Sequence, residues 1–75
     1  MTTKHRIRQK YRIELRERDH GPAHVHLTGA GIDVVVWLAP LSAEGAGPRD
    51  VKAEALEWIA AHLEELMEDW KQWHE

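Results

Sequence analysis

Cysteine and phenylalanine are both absent from this 75-residue chain, tyrosine occurs once and proline three times. Without a thiol there is no disulfide staple, no thiolate metal site and no sulfur nucleophile. Without phenylalanine, the large aromatic volume has to come from four tryptophans, Trp37, Trp58, Trp70 and Trp73. No apolar run is long enough to cross a bilayer. The basic stretch from Met1 to Arg18 is not followed by the apolar segment of a secretory signal. A cytoplasmic protein with no membrane contact is therefore expected. A chain this short buries only about 60% of the surface its unfolded form exposes, so a dense aromatic set, a metal or a partner subunit has to support a thin core. One domain over residues 1–75 is expected, with 1–5 as a flexible leading segment.

Negative charge is scarce at one end and positive charge at the other. Residues 1–18 hold seven Lys and Arg against Glu14 and Glu17, a net +5, while residues 50–75 hold eight acidic residues against Lys52 and Lys71, a net −6. Such a split steers an anionic partner to one face, or draws the two ends together within one chain or between copies.

From Ile7 to Glu17, the apolar residues Ile7, Tyr11, Ile13 and Leu15 alternate with Arg8, Lys10, Arg12, Glu14 and Arg16, the period of two that marks a half-buried strand. Arg18 to Ala23 is a turn by composition, and His24 to Thr28 alternates again. Gly29-Ala30-Gly31 supplies the positive φ of a tight hairpin, with glycine first as a type II′ turn prefers. Ile32 to Leu38 is a third strand, with Ile32, Val34, Val36 and Leu38 inward and Asp33, Val35 and Trp37 outward. Ala39 to Gly47 reads as a loop. Pro48 suits a first helical residue and Asp50 the first helical turn. Leu56, Ile59, Leu63, Leu66, Trp70 and Trp73 then recur at helical spacing, flanked by Val51, Trp58, His62 and Met67. One straight helix of that length would run roughly 39 Å against a domain about 30 Å across. It therefore bends around Ala60 to His62 or overhangs. The expected class is α+β: a three-stranded antiparallel β-meander followed by a C-terminal helix, whole or broken in two, packed on one face.

Three features could carry chemistry. The first is His20-x3-His24-x-His26. Residues two apart on a strand point to one side about 6.5–7 Å apart, so His24 and His26 could converge on a transition metal such as zinc. The Gly21-Pro22 turn could fold His20 in as a third ligand. Three imidazoles and an open position lower the pKa of a bound water. Glu14, Glu17 and Asp19 are candidate bases or supporting partners. The plainer reading is a set of exposed histidines bonded to loop carbonyls. Arg12, Arg16 and Arg18 keep imidazoles neutral but also repel a cation.

The second feature is the basic strand face. Charges two apart lie about 6.8 Å apart, near the phosphate repeat of an extended strand, so Arg8, Lys10, Arg12 and Arg16 could track nucleic acid or meet a partner protein. A solvated face, or an edge guarded by charge, is the commoner meaning. The third feature is His62, a distal ligand if the helix crosses the histidine cluster, and otherwise a satisfied histidine at the core boundary. His5 and His74 lie near the termini and carry little information. No glycine-rich phosphate loop is present, and no Ser/His/Asp arrangement can be argued from the spacing.

The segment His20-Gly21-Pro22-Ala23-His24-Val25-His26, then Gly47-Pro48, Leu56-Glu57-Trp58 and Glu64-Glu65-Leu66 through Trp70, resembles a small bacterial family known as domain of unknown function four-one-six-zero. Its pattern is a His-x-Pro-Pro-His-x-His hairpin followed by a helical tail with Glu-Trp. The resemblance spans about residues 5–73. Ala23 stands where the family usually has a second proline, which leaves the turn less rigid. The resemblance implies no established activity. It implies a bacterial protein commonly encoded beside another small domain and suspected of belonging to toxin–antitoxin-like pairs. It also implies that His20, His24 and His26 fill the motif, with Trp58 and Trp70 in the tail.

Two readings follow. One is an interaction module, a homo-oligomer or the companion of a small protein, with nucleic acid as a further partner class. The other is a metal-dependent ribonuclease or phosphodiesterase built on His20, His24 and His26.

Overall fold

Alternation along the chain becomes the inner face of a five-stranded antiparallel sheet in the computed structural model, which describes residues 2–16 and 22–74, with side chains for 3–16 and 22–72. The strands are β1 (Thr2–Ile7), β2 (Tyr11–Leu15), β3 (His24–Gly29), β4 (Ile32–Leu38) and β5 (Leu41–Glu44), neighbours in chain order. Helices α1 (Arg49–Ala61) and α2 (Leu63–His74) follow.

The α+β class and the antiparallel meander hold, but the sheet has five strands where three were expected. Both extra strands lie at the edges and have physical reasons for being hard to read. The expected strand Ile7 to Glu17 is cut by a turn at Arg8–Lys10, in which Arg8 and Gln9 take φ of 54° and 62°. Glycine, asparagine or aspartate normally mark that left-handed conformation, and none is present there. Upstream, the register of β1 on β2 shifts between Thr3 and His5, which erases simple alternation. The segment 1–5, expected as a flexible leader, thus contributes residues to β1. At the other edge, β5 is four residues long inside a stretch rich in Pro, Ser and Gly, and it joins β4 through the cis Ala39–Pro40 peptide.

The third expected strand, Ile32 to Leu38, matches β4, with Val34, Val36 and Leu38 buried inward. Gly29 pairs with Ile32, so the hairpin loop is Ala30–Gly31 with φ of 47° and 82°. Two positive φ values make it type I′, not the expected II′. Gly29 has a separate constraint, since a Cβ there would collide with the Lys10 carbonyl.

Pro48 stands just before the first helical residue, one place earlier than expected. The helical run breaks at His62, inside the segment expected to bend. The His62 N–H donates to the carbonyls of Ile59 and Trp58, both at 3.1 Å, and closes α1. Val51, Ala55 and Ile59 of α1, with Leu66 and Trp70 of α2, join Ile7, Ile13, Leu15, Val25, Leu27, Val34, Val36 and Leu38 in one core. Leu56 and Leu63, expected at the centre of the stripe, are half-buried at its margin.

The opposed ends of the chain meet within it. Lys4 bonds Asp69 at 2.6 Å, and Arg8 bonds Asp50 at 2.7 Å. The hydrogen bond and charge of Arg8 hold the Asp50 carboxyl below its ordinary range, and Asp50 raises Arg8 in turn. No helix among the described residues is long and apolar enough to cross a membrane.

Candidate functional site

Because strand side chains alternate, the residues opposite the core form a second face. Register places Glu14 across from His26, and Arg12 across from Thr28. On the other side, His24 faces Trp37, His26 faces Val35 and Thr28 faces Asp33. As expected, His24 and His26 point away from Val25 and Leu27. They are not exposed, however: His24 and His26 are 6% and 7% accessible, and Glu14 only 1%.

Glu14 is the centre of this layer. Its carboxylate accepts from Arg12 Nε at 2.9 Å, Thr28 Oγ1 at 3.0 Å and Arg16 Nη2 at 3.5 Å. Burial alone pushes its pKa up, but the bonds from Arg12 and Thr28 and the charges of Arg12 and Arg16 outweigh burial, so the carboxyl titrates below its ordinary range. Glu14 is therefore an ionised anchor that fixes two guanidinium groups.

The histidines are anchored as well. His24 Nδ1 lies 2.8 Å from the Pro22 carbonyl, and His26 Nδ1 lies 3.4 Å from Asp33 Oδ1. Both oxygens accept, so Nδ1 carries the proton and, in the neutral ring, Nε2 carries the lone pair. An oriented imidazole of this kind serves metal ligation and proton transfer alike. The two rings meet edge to face at 5.2 Å, and His24 also touches Trp37 at 5.0 Å and Trp70 at 4.9 Å. Trp37 donates from Nε1 to Glu44 at 3.2 Å. Beside it runs an apolar groove lined by Pro22, Trp37, Ala39, Pro40 and Ser42.

Of the histidine trio, His24 and His26 come together, while His20 lies outside the described residues, as do Arg18, Glu17 and Asp19. Among the described residues, no group of three His, Asp or Glu side chains is placed to hold a metal ion. The expected basic row does not form one line. Arg12 and Arg16 share the second face, but Arg8 and Lys10 sit in the β1–β2 turn, and Arg8 is turned to Asp50 on α1. His62 is no distal ligand: it stacks on Trp58 at 4.1 Å and donates from Nδ1 to the Trp58 carbonyl. His5 also stacks on Trp58, at 4.6 Å.

In the sequence Glu14 stands out only as one of three candidate supporting carboxylates, with Glu17 and Asp19. The alternation Arg12-x-Glu14-x-Arg16 was the available signal for its role, and Thr28 follows His24 and His26 at the same period. Nothing local in the sequence announces the contact between Trp70 and His24, which are 46 positions apart.

No curated protein and no solved structure matches the chain. The family model described as Domain of unknown function (DUF4160) matches residues 11–71, which takes in β2, the histidine hairpin, β4, β5, α1 and most of α2. The chain belongs to that family.

Proposed function

We propose that this chain is a small bacterial interaction module, acting in the cytoplasm, that docks a partner protein through the second face of its sheet. The observation that carries the reading is an arginine and tryptophan surface held in place before any partner arrives. Arg12 and Arg16 are half-exposed yet fixed by Glu14, and half-buried Trp37 is fixed by Glu44 beside an apolar groove. Arginine and tryptophan dominate binding hot spots, and side chains ordered in advance lose little further entropy on docking. A companion protein of a toxin–antitoxin-like pair fits this chemistry. Nucleic-acid backbone tracking fits less well, because Arg8 and Lys10 do not extend the line of Arg12 and Arg16.

The test is affinity capture from nuclease-treated host extract with wild type, Trp37→Ala and the double variant Arg12→Ala, Arg16→Ala. The expected result is one protein held in stoichiometric amount by wild type and lost from both folded variants. Capture that survives both variants, or that disappears with nuclease treatment, overturns the reading.

A second reading is a metal-dependent ribonuclease or phosphodiesterase in which His20, His24 and His26 hold zinc or another transition metal. It is favoured by one observation, the orientation of both imidazoles on one side of β3, each with Nδ1 on an oxygen acceptor, as second-shell partners orient metal-ligating histidines. Elemental analysis of untagged protein purified without chelators decides it: about one ion per chain, lost in His24→Ala and His26→Ala, supports it, and metal-free protein removes it.

A further inference from the structure

The two edges of the sheet are built differently. Edge β1 carries the usual guards against strand addition: a register shift beside Thr3, and charged Lys4 and Arg6. Edge β5, Leu41-Ser42-Ala43-Glu44, is short, follows Pro40 and ends on Glu44, but has neither a bulge nor a basic residue. Its first residue, Leu41, is the one exposed large hydrophobic among the described residues, at 36%.

The outward backbone groups of β5 follow from the register. Leu38 N–H donates to the Ala23 carbonyl on the β3 side, so the backbone of Leu38 faces β3 and that of Trp37 faces β5. Trp37 pairs with Ser42 and Val35 with Glu44. Ser42 and Glu44 therefore turn their N–H and C=O groups toward β4, and Leu41 and Ala43 turn theirs out of the sheet.

We infer that β5 pairs with β5 of a second copy of this chain, antiparallel about a two-fold axis at Ser42. In that register Leu41 of each copy lies opposite Ala43 of the other, and the two pairs exchange all the outward N–H and C=O groups. Leu41 and Ala43 both lie on the helix-bearing side, since they face Leu38 and Val36 of the core. Pairing therefore sets leucine against alanine twice on one face and Ser42 against Ser42 on the other, and no like charges oppose each other. Pro40, without an N–H, and Gly45, at a φ of 130°, limit the new ladder to these residues. The product is a ten-stranded sheet with the α1 helices of both copies on the same side. The second face with Arg12, Arg16 and Trp37 runs across it, and the groove beside Trp37 borders the seam through Ser42.

The absence of cysteine makes the register directly testable. At a non-hydrogen-bonded antiparallel pair the Cα atoms lie about 4.5 Å apart, within the range a disulfide spans. Ser42→Cys under mild oxidation is expected to form a covalent dimer, whereas Ala60→Cys on the exposed side of α1 is not. Sedimentation of wild type between micromolar and millimolar concentration is expected to show a monomer–dimer equilibrium. Leu41→Lys should weaken it at least about tenfold through loss of buried apolar surface. Ala43→Pro, which removes an outward donor and spares the bonds to β4, should abolish it. A monomer throughout overturns the inference. So does a dimer untouched by Leu41→Lys, or Ser42→Cys that cross-links no faster than Ala60→Cys. Leu41→Lys changes an exposed side chain, so the test stands even if Ala43→Pro does not fold.

Discussion

The two faces of β3 are buried almost equally and by opposite chemistry. Val25 and Leu27, 0% and 1% accessible, face the helix-packed core, while His24, His26 and Thr28, 6%, 7% and 8% accessible, face the other way. On the first face burial asks only for shape and apolar surface. On the second, each polar atom taken from water needs a partner, and Glu14, Pro22 and Asp33 supply partners at fixed positions. The first face therefore sets how stable the fold is. The second sets where particular nitrogen and oxygen atoms stand, which is the property a binding or reacting surface needs.

The sharpest way to separate the faces is to damage each at one residue. Leu27→Ala leaves a cavity on the core face between Ile13 of β2 and Val34 of β4 and is expected to destabilise by about 2–5 kcal/mol, measured by urea unfolding. Glu14→Gln, on the opposite face, should lose less, about 1–3 kcal/mol. Its partners Arg12 and Arg16 are 43% and 35% exposed and can return to water, so no charge is stranded. The two losses also differ in pH response. The folded-state pKa of Glu14 lies below the unfolded value, so between the two the unfolded chain binds more protons. The stabilisation is full above the ordinary glutamate range, near pH 4.3, and fades as pH falls through the folded value. Glu14→Gln should flatten that acid limb, whereas Leu27→Ala should lower the whole stability curve without changing its shape.

The core face was legible because alternation of Val25, Leu27, Val34 and Val36 is strong and local. The class and the β3–β4 hairpin followed from it, and the helical tail followed from the three-and-four spacing of its apolar residues. The break in that tail was one of two outcomes its length left open. The pairing of His24 and His26 followed too, since period two alone places them together. What stayed hidden depends on contacts distant in sequence or on turns without marker residues. The Arg8–Gln9 turn adopts a glycine-like backbone without glycine, and it moved Arg8 and Lys10 off the strand on which a continuous basic row had been expected. The burial of His24 depends partly on Trp70, which lies on α2 beyond the break at His62.

Thr28→Val narrows the comparison to one hydrogen bond. The side chains are nearly equal in size, so the second face keeps its packing while Glu14 loses one of its three donors. Destabilisation of about 0.5–1.5 kcal/mol is expected. Combined with Glu14→Gln, the loss should be smaller than the sum of the two, because both changes remove the same contact.

The smallest expected effect distinguishes buried from marginal electrostatics. Lys4 and Asp69 join β1 to α2 with side chains 21% and 24% exposed, in contrast to the 1% of Glu14. Water and salt reach such a pair, so Lys4→Met, which keeps the apolar stem, should destabilise by only about 0.2–1 kcal/mol. Near 1 M salt, where the screening length falls to about 3 Å, that difference should vanish. The Glu14→Gln difference should largely persist, because the Glu14 carboxylate is buried and buried charges are screened much less. Urea unfolding of the two variants at low and high salt measures both. Equal salt sensitivity would mean that the second face is wetter than its burial indicates, and that Arg12 and Arg16 are not held in advance of a partner.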